Sequence, residues 1–232
     1  MTQKAREHWD SEFSRSDVRF PILITERPSS SAHRLKEILQ PGESLLEVGS
    51  GMGRNTNWLA QQGYNVTGID ISPIALQEAE RRGEKLGVQP KYYLQDASQA
   101  GWPFPDHSFD AVLDTMTSML FTLSELERYC REVVRVLKPG GKFFLYTLDY
   151  TQDIDTQQML SMLPGAEKNT YFLPIMGHQE RAFSLEDIAE LYAPLEIESS
   201  DHIEASAQCA GEEYEKCYWW VLLRSPEELP RE

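Results

Sequence analysis

The residues that could do chemistry gather around one glycine-rich segment, LLEVGSGMGRNT, at positions 45–56. An apolar run ends in Glu47, and Gly49, Ser50, Gly51 and Gly53 form the turn that follows it. Glycines let a backbone turn tightly and approach a ligand closely. A helix starting just after them offers unpaired N–H groups. Asp70 closes the next apolar run, 17 residues after Gly53. A carboxylate at that place can accept both hydroxyls of a ribose. Asp96, in LQDAS, can accept an exocyclic amine such as that of adenine. The dinucleotide fingerprint G-x-G-x-x-G is broken, because position 54 is Arg where the last glycine belongs. A pyrophosphate needs positive dipoles and no anions nearby. Glu47 and Asp114 flanking the loop therefore suit a ligand without phosphates.

These residues need rigid elements to bring them together, and the hydropathy pattern supplies them. Short strands are expected at Ser44–Val48, Tyr64–Ile69, Lys91–Leu94, Phe109–Leu113 and Lys142–Leu148. Helices are expected at 32–39, between the glycine turn and Gly63, from Ser72-Pro73 to about Gly87, and over Ser124–Lys138. Pro139-Gly140-Gly141 is expected to break the last of these. Residues 151–182 show no clear period, and Ser184-Leu185-Glu186-Asp187 opens a helix with capping-box character. Two further strands are expected near Pro194–Glu198 and Lys216–Leu223, and the acidic tail after Ser225 is expected to fray. Strand–helix alternation of this kind predicts an α/β fold with a mostly parallel sheet. Ligands in such sheets sit beyond the carboxyl ends of the strands, where every motif above falls.

The segments LEVGSGMGRNT, VTGIDIS, YLQDAS, FDAVLD and RVLKPGGKFFLY, in this order, resemble the class I S-adenosylmethionine-dependent methyltransferases, over roughly residues 43–148. The small-molecule members, including the tellurite- and thiopurine-type enzymes, are the nearest general likeness. The resemblance implies a Rossmann-like, seven-stranded, mostly parallel sheet with helices on both faces and the last strand antiparallel. It implies S-adenosylmethionine as cofactor and S-adenosylhomocysteine as product. The methionine part would lie near Glu47, Gly49 and Gly51, with Ser50 and Gly53 completing the loop. Asp70 would hold the ribose, Ile71 would pack on the adenine, and Asp96 with Ala97 would recognise its amino group. Asp114 and Thr115 would line the site near the reacting sulfonium. The whole chain reads as one methyltransferase domain. Residues 1–40 form a lid, 41–150 the cofactor half, 151–182 an insert on the substrate side, and 183–232 a C-terminal helix and strands.

Methyl transfer is an in-line displacement, so the protein must align the acceptor and exclude water rather than supply a nucleophile. A general base matters only for an acceptor that is protonated at working pH. His178 and Asp114 are the candidates, and Tyr146 and Tyr150 flank the end of the fifth strand. His8, Trp9, Phe13 and Phe20 could close over the cofactor, and Met159, Met162, Tyr171, Phe172 and Met176 could line an acceptor pocket.

Composition narrows the partners. The 232 residues carry a net charge of −15, and residues 183–232 hold 13 acidic against 3 basic side chains. Such a chain is a poor electrostatic partner for nucleic acid or an anionic membrane, which favours a small-molecule acceptor. The fourth strand reads FDAVLDTMTS, not the Asn/Asp-Pro-Pro-aromatic signature of nucleic-acid amino methyltransferases. Cys130, Cys209 and Cys217 form no C-x-x-C pair and read as packed or surface thiols, with no metal site expected. With no apolar leader in MTQKAREHWDSEF, the expected compartment is the cytoplasm. Two other readings stay open: a cofactor-binding module without catalysis, and a Rossmann-type nucleotide-dependent oxidoreductase.

Overall fold

The computed structural model of the chain describes residues 3–15, 20–209 and 212–227. Its centre is a seven-stranded sheet built from β1 (Ser44–Val48), β2 (Asn65–Asp70), β3 (Lys91–Leu94), β4 (Phe109–Thr115), β5 (Leu137–Leu148), β8 (Glu196–Cys209) and β9 (Glu212–Arg224). The order is β3-β2-β1-β4-β5-β9-β8. Strands β1 to β5 pair in parallel, while β9 runs antiparallel to β5 and to β8. The expected Rossmann-like sheet with its antiparallel last strand is thus what the chain forms.

Alternation along each strand supplies a core on both faces. On one face Leu45, Leu113, Phe144 and Leu222 pack with Ala32 and Leu35 of α2 (Ser30–Ile38) and Leu59 of α3 (Arg54–Gln61). On the other, Leu46, Val112, Phe143 and Leu223 pack with Val133 of α5 (Leu123–Val136) and Ile188 of α7 (Leu185–Leu191). Helix α4 (Pro73–Leu86) starts as its sequence predicts. The Ser72 side chain accepts from the Ala75 N–H, Pro73 takes the first helical position, and Gly87 ends the helix in a left-handed conformation. Ser184 and Asp187 form the expected capping box of α7.

Four expectations change. The fifth helix starts at Leu123 under a Thr122–Glu125 capping box and stops at Val136. Pro139-Gly140-Gly141 then lies inside β5 rather than before it, as an irregularity between the pairs Phe109↔Leu137 and Ala111↔Lys142. The Ser225 N–H donates to the Gly141 carbonyl, at 2.8 Å, and so supports that irregular stretch from the far end of the chain. The last two strands are longer than their apolar stretches, because they pair with each other from Glu196↔Arg224 to Cys209↔Glu212. Residues 151–182 are not shapeless. They form α6 (Ile154–Met162), capped by Asp153, and a hairpin of β6 (Thr170–Leu173) and β7 (His178–Arg181). The N-terminal segment contributes α1 (Gln3–Ser14), packed against α4. Cys130 is buried and Cys217 half-buried, both as free thiols. The Cys209 side chain and the tail beyond residue 227 lie outside the described residues. No helix among the described residues is long and apolar enough to cross a membrane.

Candidate functional site

A cavity of about 970 Å³ opens at the carboxyl ends of β1 to β5, and Trp9, Phe13 and Phe20 of the N-terminal segment line it. The glycine turn forms its floor. Gly49, Gly51 and Gly53 have φ of 66°, 52° and 76°, a region that side chains with a Cβ rarely adopt. At Gly49 a Cβ would also lie 2.1 Å from Thr117 Oγ1.

This turn feeds directly into the carboxylates. The Gly51 N–H donates to Asp70 Oδ2 at 2.8 Å, and the Ser72 N–H donates to Asp70 Oδ1 at 2.9 Å. Burial nonetheless pushes the Asp70 carboxyl up to about 6. Glu47 accepts from Asn55 Nδ2 at 2.8 Å and from the Thr56 hydroxyl, and burial pushes it up to about 7. A carboxyl held above its ordinary value favours the fold below that value and loses this contribution as pH rises through the native one. For Glu47 the window runs from 4.5 to about 7. Ligand-free Glu47→Gln is therefore expected to melt above the wild type at pH 8, by about 3–8 °C, and close to it near pH 5. Thermal melts at both pH values check this, and an equal difference at both would refute it.

The remaining expected cofactor residues divide into two groups. Ser50, Ile71, Asp96, Ala97 and Thr115 line the cavity alongside Glu47, Gly49, Gly51 and Asp70. Ser50 Oγ and Thr115 Oγ1 are buried and have no hydrogen-bond partner among the described residues. Asp96 Oδ1 accepts from the N–H and hydroxyl of Ser98, which orients the carboxylate. Gly53 and Asp114 do not line the cavity. Gly53 caps α3, where a Cβ would meet the Tyr92 hydroxyl at 2.4 Å and Ala79 Cβ at 2.8 Å. Asp114 is fully enclosed. Its carboxylate accepts from the Thr117 N–H at 2.9 Å, the Ser118 N–H at 3.2 Å and the Tyr129 hydroxyl at 2.8 Å. Adjacent strand residues point to opposite faces, so with Thr115 in the cavity wall, Asp114 turns beneath it. The expectation that Asp114 serves as a base at the reacting centre is thus corrected: it holds the loop at 115–118.

His178 does reach the cavity, from the first residue of β7 rather than from a loop. Its ring packs on Trp9 at 5.7 Å and on His8 at 5.5 Å. Its Nε2 lies 3.4 Å from Glu180 Oε1, and Glu180 Oε2 accepts from the Tyr171 hydroxyl at 2.5 Å. Met159, Met162, Tyr171 and Met176 line the cavity, but Phe172 is 42% exposed and does not. Tyr146 lines it, whereas the Tyr150 hydroxyl turns to Asp187 at 3.1 Å. Sequence reasoning missed Arg54 as a wall residue, together with Glu180 and Tyr218. The i, i+2 spacing of His178 and Glu180 on one strand face was the available signal for the second. Tyr218 becomes visible only once β9 pairs with β5, which stacks it on Tyr146 at 4.8 Å.

Comparison with known proteins adds four likenesses. Residues 46–145 match the family model described as a methyltransferase domain. Over 101 residues the chain is 41% identical to demethylmenaquinone methyltransferase of Tropheryma whipplei (strain Twist), covering 44% of this chain and 40% of that one. Over 161 residues it is 31% identical to fatty-acid O-methyltransferase of Mycolicibacterium smegmatis, covering 66% of this chain and 56% of that one. The matches thus span about half the length of these curated relatives. Among solved structures, a SAM-dependent methyltransferase from Methanosarcina mazei superposes with a TM-score of 0.73 at 24% identity, over 84% of this chain and 98% of that one. At that identity the likeness concerns the fold alone.

Proposed function

We propose that this chain, whose residues 46–145 match the model of a methyltransferase domain, transfers a methyl group from S-adenosylmethionine to a small organic acceptor. The observation that carries the reading is the Asp70 carboxylate, fixed at the cavity wall by the Gly51 and Ser72 N–H groups. Held this way, it presents its remaining lone pairs to a pair of ribose hydroxyls.

The other residues suit the same cofactor. Ile71 and Ala97 offer apolar contact to an adenine, and Asp96 an acceptor for its amino group. Glu47 and Asp70 line the cavity and Arg54 replaces the glycine a pyrophosphate would need, which speaks against a dinucleotide.

When bound, the sulfonium supplies an activated methyl carbon and its own leaving group. The chain's task is alignment and exclusion of water. Trp9, Phe13 and Phe20 cover the cavity from one side, so we assign residues 1–40 a lid role and 151–182 the acceptor side. Met159, Met162 and Met176 favour an acceptor with an apolar body. For a hydroxyl acceptor, His178 is placed to take the proton while Glu180 orients its ring. The acidic surface and dispersed thiols fit a cytoplasmic enzyme without nucleic-acid or membrane partners.

The test is a thermal melt with S-adenosylmethionine, S-adenosylhomocysteine and NADH in turn. A ligand at about 100 times its Kd stabilises by about 2.7 kcal/mol. In a chain of this size that raises the melting temperature by about 5–11 °C. A shift with the two sulfur nucleosides alone supports the reading. A shift with NADH alone overturns it. Binding without methyl transfer to any acceptor would make the protein a binding module.

A further inference from the structure

Arg54 stands out among the cationic side chains of the cavity. Lys216 lies 3.5 Å from Asp153, and Arg27 is exposed to solvent. Arg54, the first residue of α3, is half-buried in the cavity wall and has no hydrogen-bond or ion-pair partner among the described residues. The nearest acid, Glu47, is already held by Asn55 and Thr56. Burial draws the Arg54 pKa down, and its charge is felt by Glu47 and Tyr146.

Tyr146 is itself in the wall, stacked on Tyr218 with ring centroids 4.8 Å apart and planes 23° from parallel. Neither hydroxyl has a hydrogen-bond partner among the described residues. A guanidinium and two phenols thus line one cavity, and the described residues provide no acceptor for them. Leaving a guanidinium without an acceptor in a partly desolvated place is costly. Its planar fork of N–H groups matches a carboxylate, which it can bind through two parallel hydrogen bonds.

We propose that Arg54, Tyr146 and Tyr218 form a carboxylate-binding subsite in the wall of this cavity. Two sources can supply the carboxylate: the amino-acid end of S-adenosylmethionine, or an acid group on an acceptor whose apolar body lies along Met159 and Leu173. The first source rests on the cofactor reading above, and the second does not.

The experiment is calorimetric titration of the full chain with three probes. They are S-adenosylhomocysteine, 5′-methylthioadenosine (the same nucleoside without the amino-acid end), and dodecanoate, the last with and without S-adenosylhomocysteine present. The variants are Arg54→Met, which keeps the stem and removes the fork, and Tyr146→Phe, which removes one hydroxyl. If the cofactor supplies the carboxylate, Arg54→Met weakens S-adenosylhomocysteine by about 10- to 100-fold and leaves 5′-methylthioadenosine unchanged. If the acceptor supplies it, both nucleosides bind as before and dodecanoate binding is lost by a similar factor. Tyr146→Phe should weaken the same probe, by a smaller factor. The proposal is overturned if neither carboxylate probe distinguishes Arg54→Met from the wild type, or if both nucleosides weaken equally. It is also overturned if Arg54→Met melts well below the wild type, since Arg54 would then be a structural cation. A wild-type chain that binds neither nucleoside sinks the cofactor reading, and the dodecanoate arm still decides the subsite.

Discussion

Asp70→Ala is expected to bind S-adenosylhomocysteine at least about a hundredfold more weakly than the wild type while remaining folded. Hydrogen bonds to a charged group contribute about 1.5–3 kcal/mol each, and two ribose hydroxyls would share this carboxylate. The fold should survive because two effects oppose each other. Removing the carboxylate leaves the Gly51 and Ser72 N–H groups without their acceptor. It also relieves a buried charge whose pKa already stands at about 6 instead of 3.8. The same shift gives the wild type a pH profile. The ionised carboxylate is the better acceptor, so affinity should fall by up to about tenfold per unit as pH drops below about 6. Asp70→Asn should flatten that slope. Calorimetry from pH 5 to 8 tests both statements, and an Asp70→Ala protein that binds as tightly as the wild type would end the ribose assignment.

Gly53→Ala is expected to destabilise the fold by about 2–4 kcal/mol, although Gly53 does not line the cavity. Its φ of 76° disfavours any Cβ, and the new atom would collide with the Tyr92 hydroxyl at 2.4 Å and with Ala79 Cβ and Asn57 Nδ2 at 2.8 Å. Tyr92 and Asn57 are hydrogen-bonded to each other, and Asn57 donates to the Ala79 carbonyl, so neither side chain can move freely. Gly87→Ala is the control. It has a similar φ of 72° but nothing within 4 Å, so only the backbone cost of a Cβ in the left-handed region applies, about 1 kcal/mol. Melting temperatures of the two variants should fall by about 4–15 °C and about 2–4 °C respectively. Equal losses would mean that the close packing of α3 on α4 and β3 contributes nothing.

The sheet was legible because each parallel strand is a short apolar run next to a helix with its own start and stop signals. Ser44–Val48 and Lys91–Leu94 came out with the very bounds their sequences suggest. The site was legible in part for a related reason: a glycine turn and two strand-end carboxylates are local features. What stayed hidden depends on distant partners. Pro139-Gly140-Gly141 reads as a break, yet Gly140 and Gly141 are held by hydrogen bonds from Arg224 and Ser225. Helix α6 has no amphipathic stripe, with Ile154 and Met162 both exposed, so periodicity could not reveal it. Asp114 has the right residue type and sits at a strand end. Its carboxylate is held inward by the Tyr129 hydroxyl of α5 and by the Thr117 and Ser118 N–H groups, partners that come together only in the fold.

Strand β9 is the last in chain order among the described residues, yet it lies inside the sheet, between β5 and β8. During synthesis, β1 to β5 emerge first and can assemble, but β5 then keeps an unpaired, apolar border until residues past 212 leave the ribosome. The nascent chain therefore waits in an adhesive state, with Phe143, Phe144 and Leu145 lacking their strand neighbours Leu223, Leu222 and Val221. A stop codon a few residues before Tyr218 would remove an interior strand rather than trim a margin. Such a product should be cleared by proteases or aggregate, even though every glycine and carboxylate of the cofactor loop is still encoded.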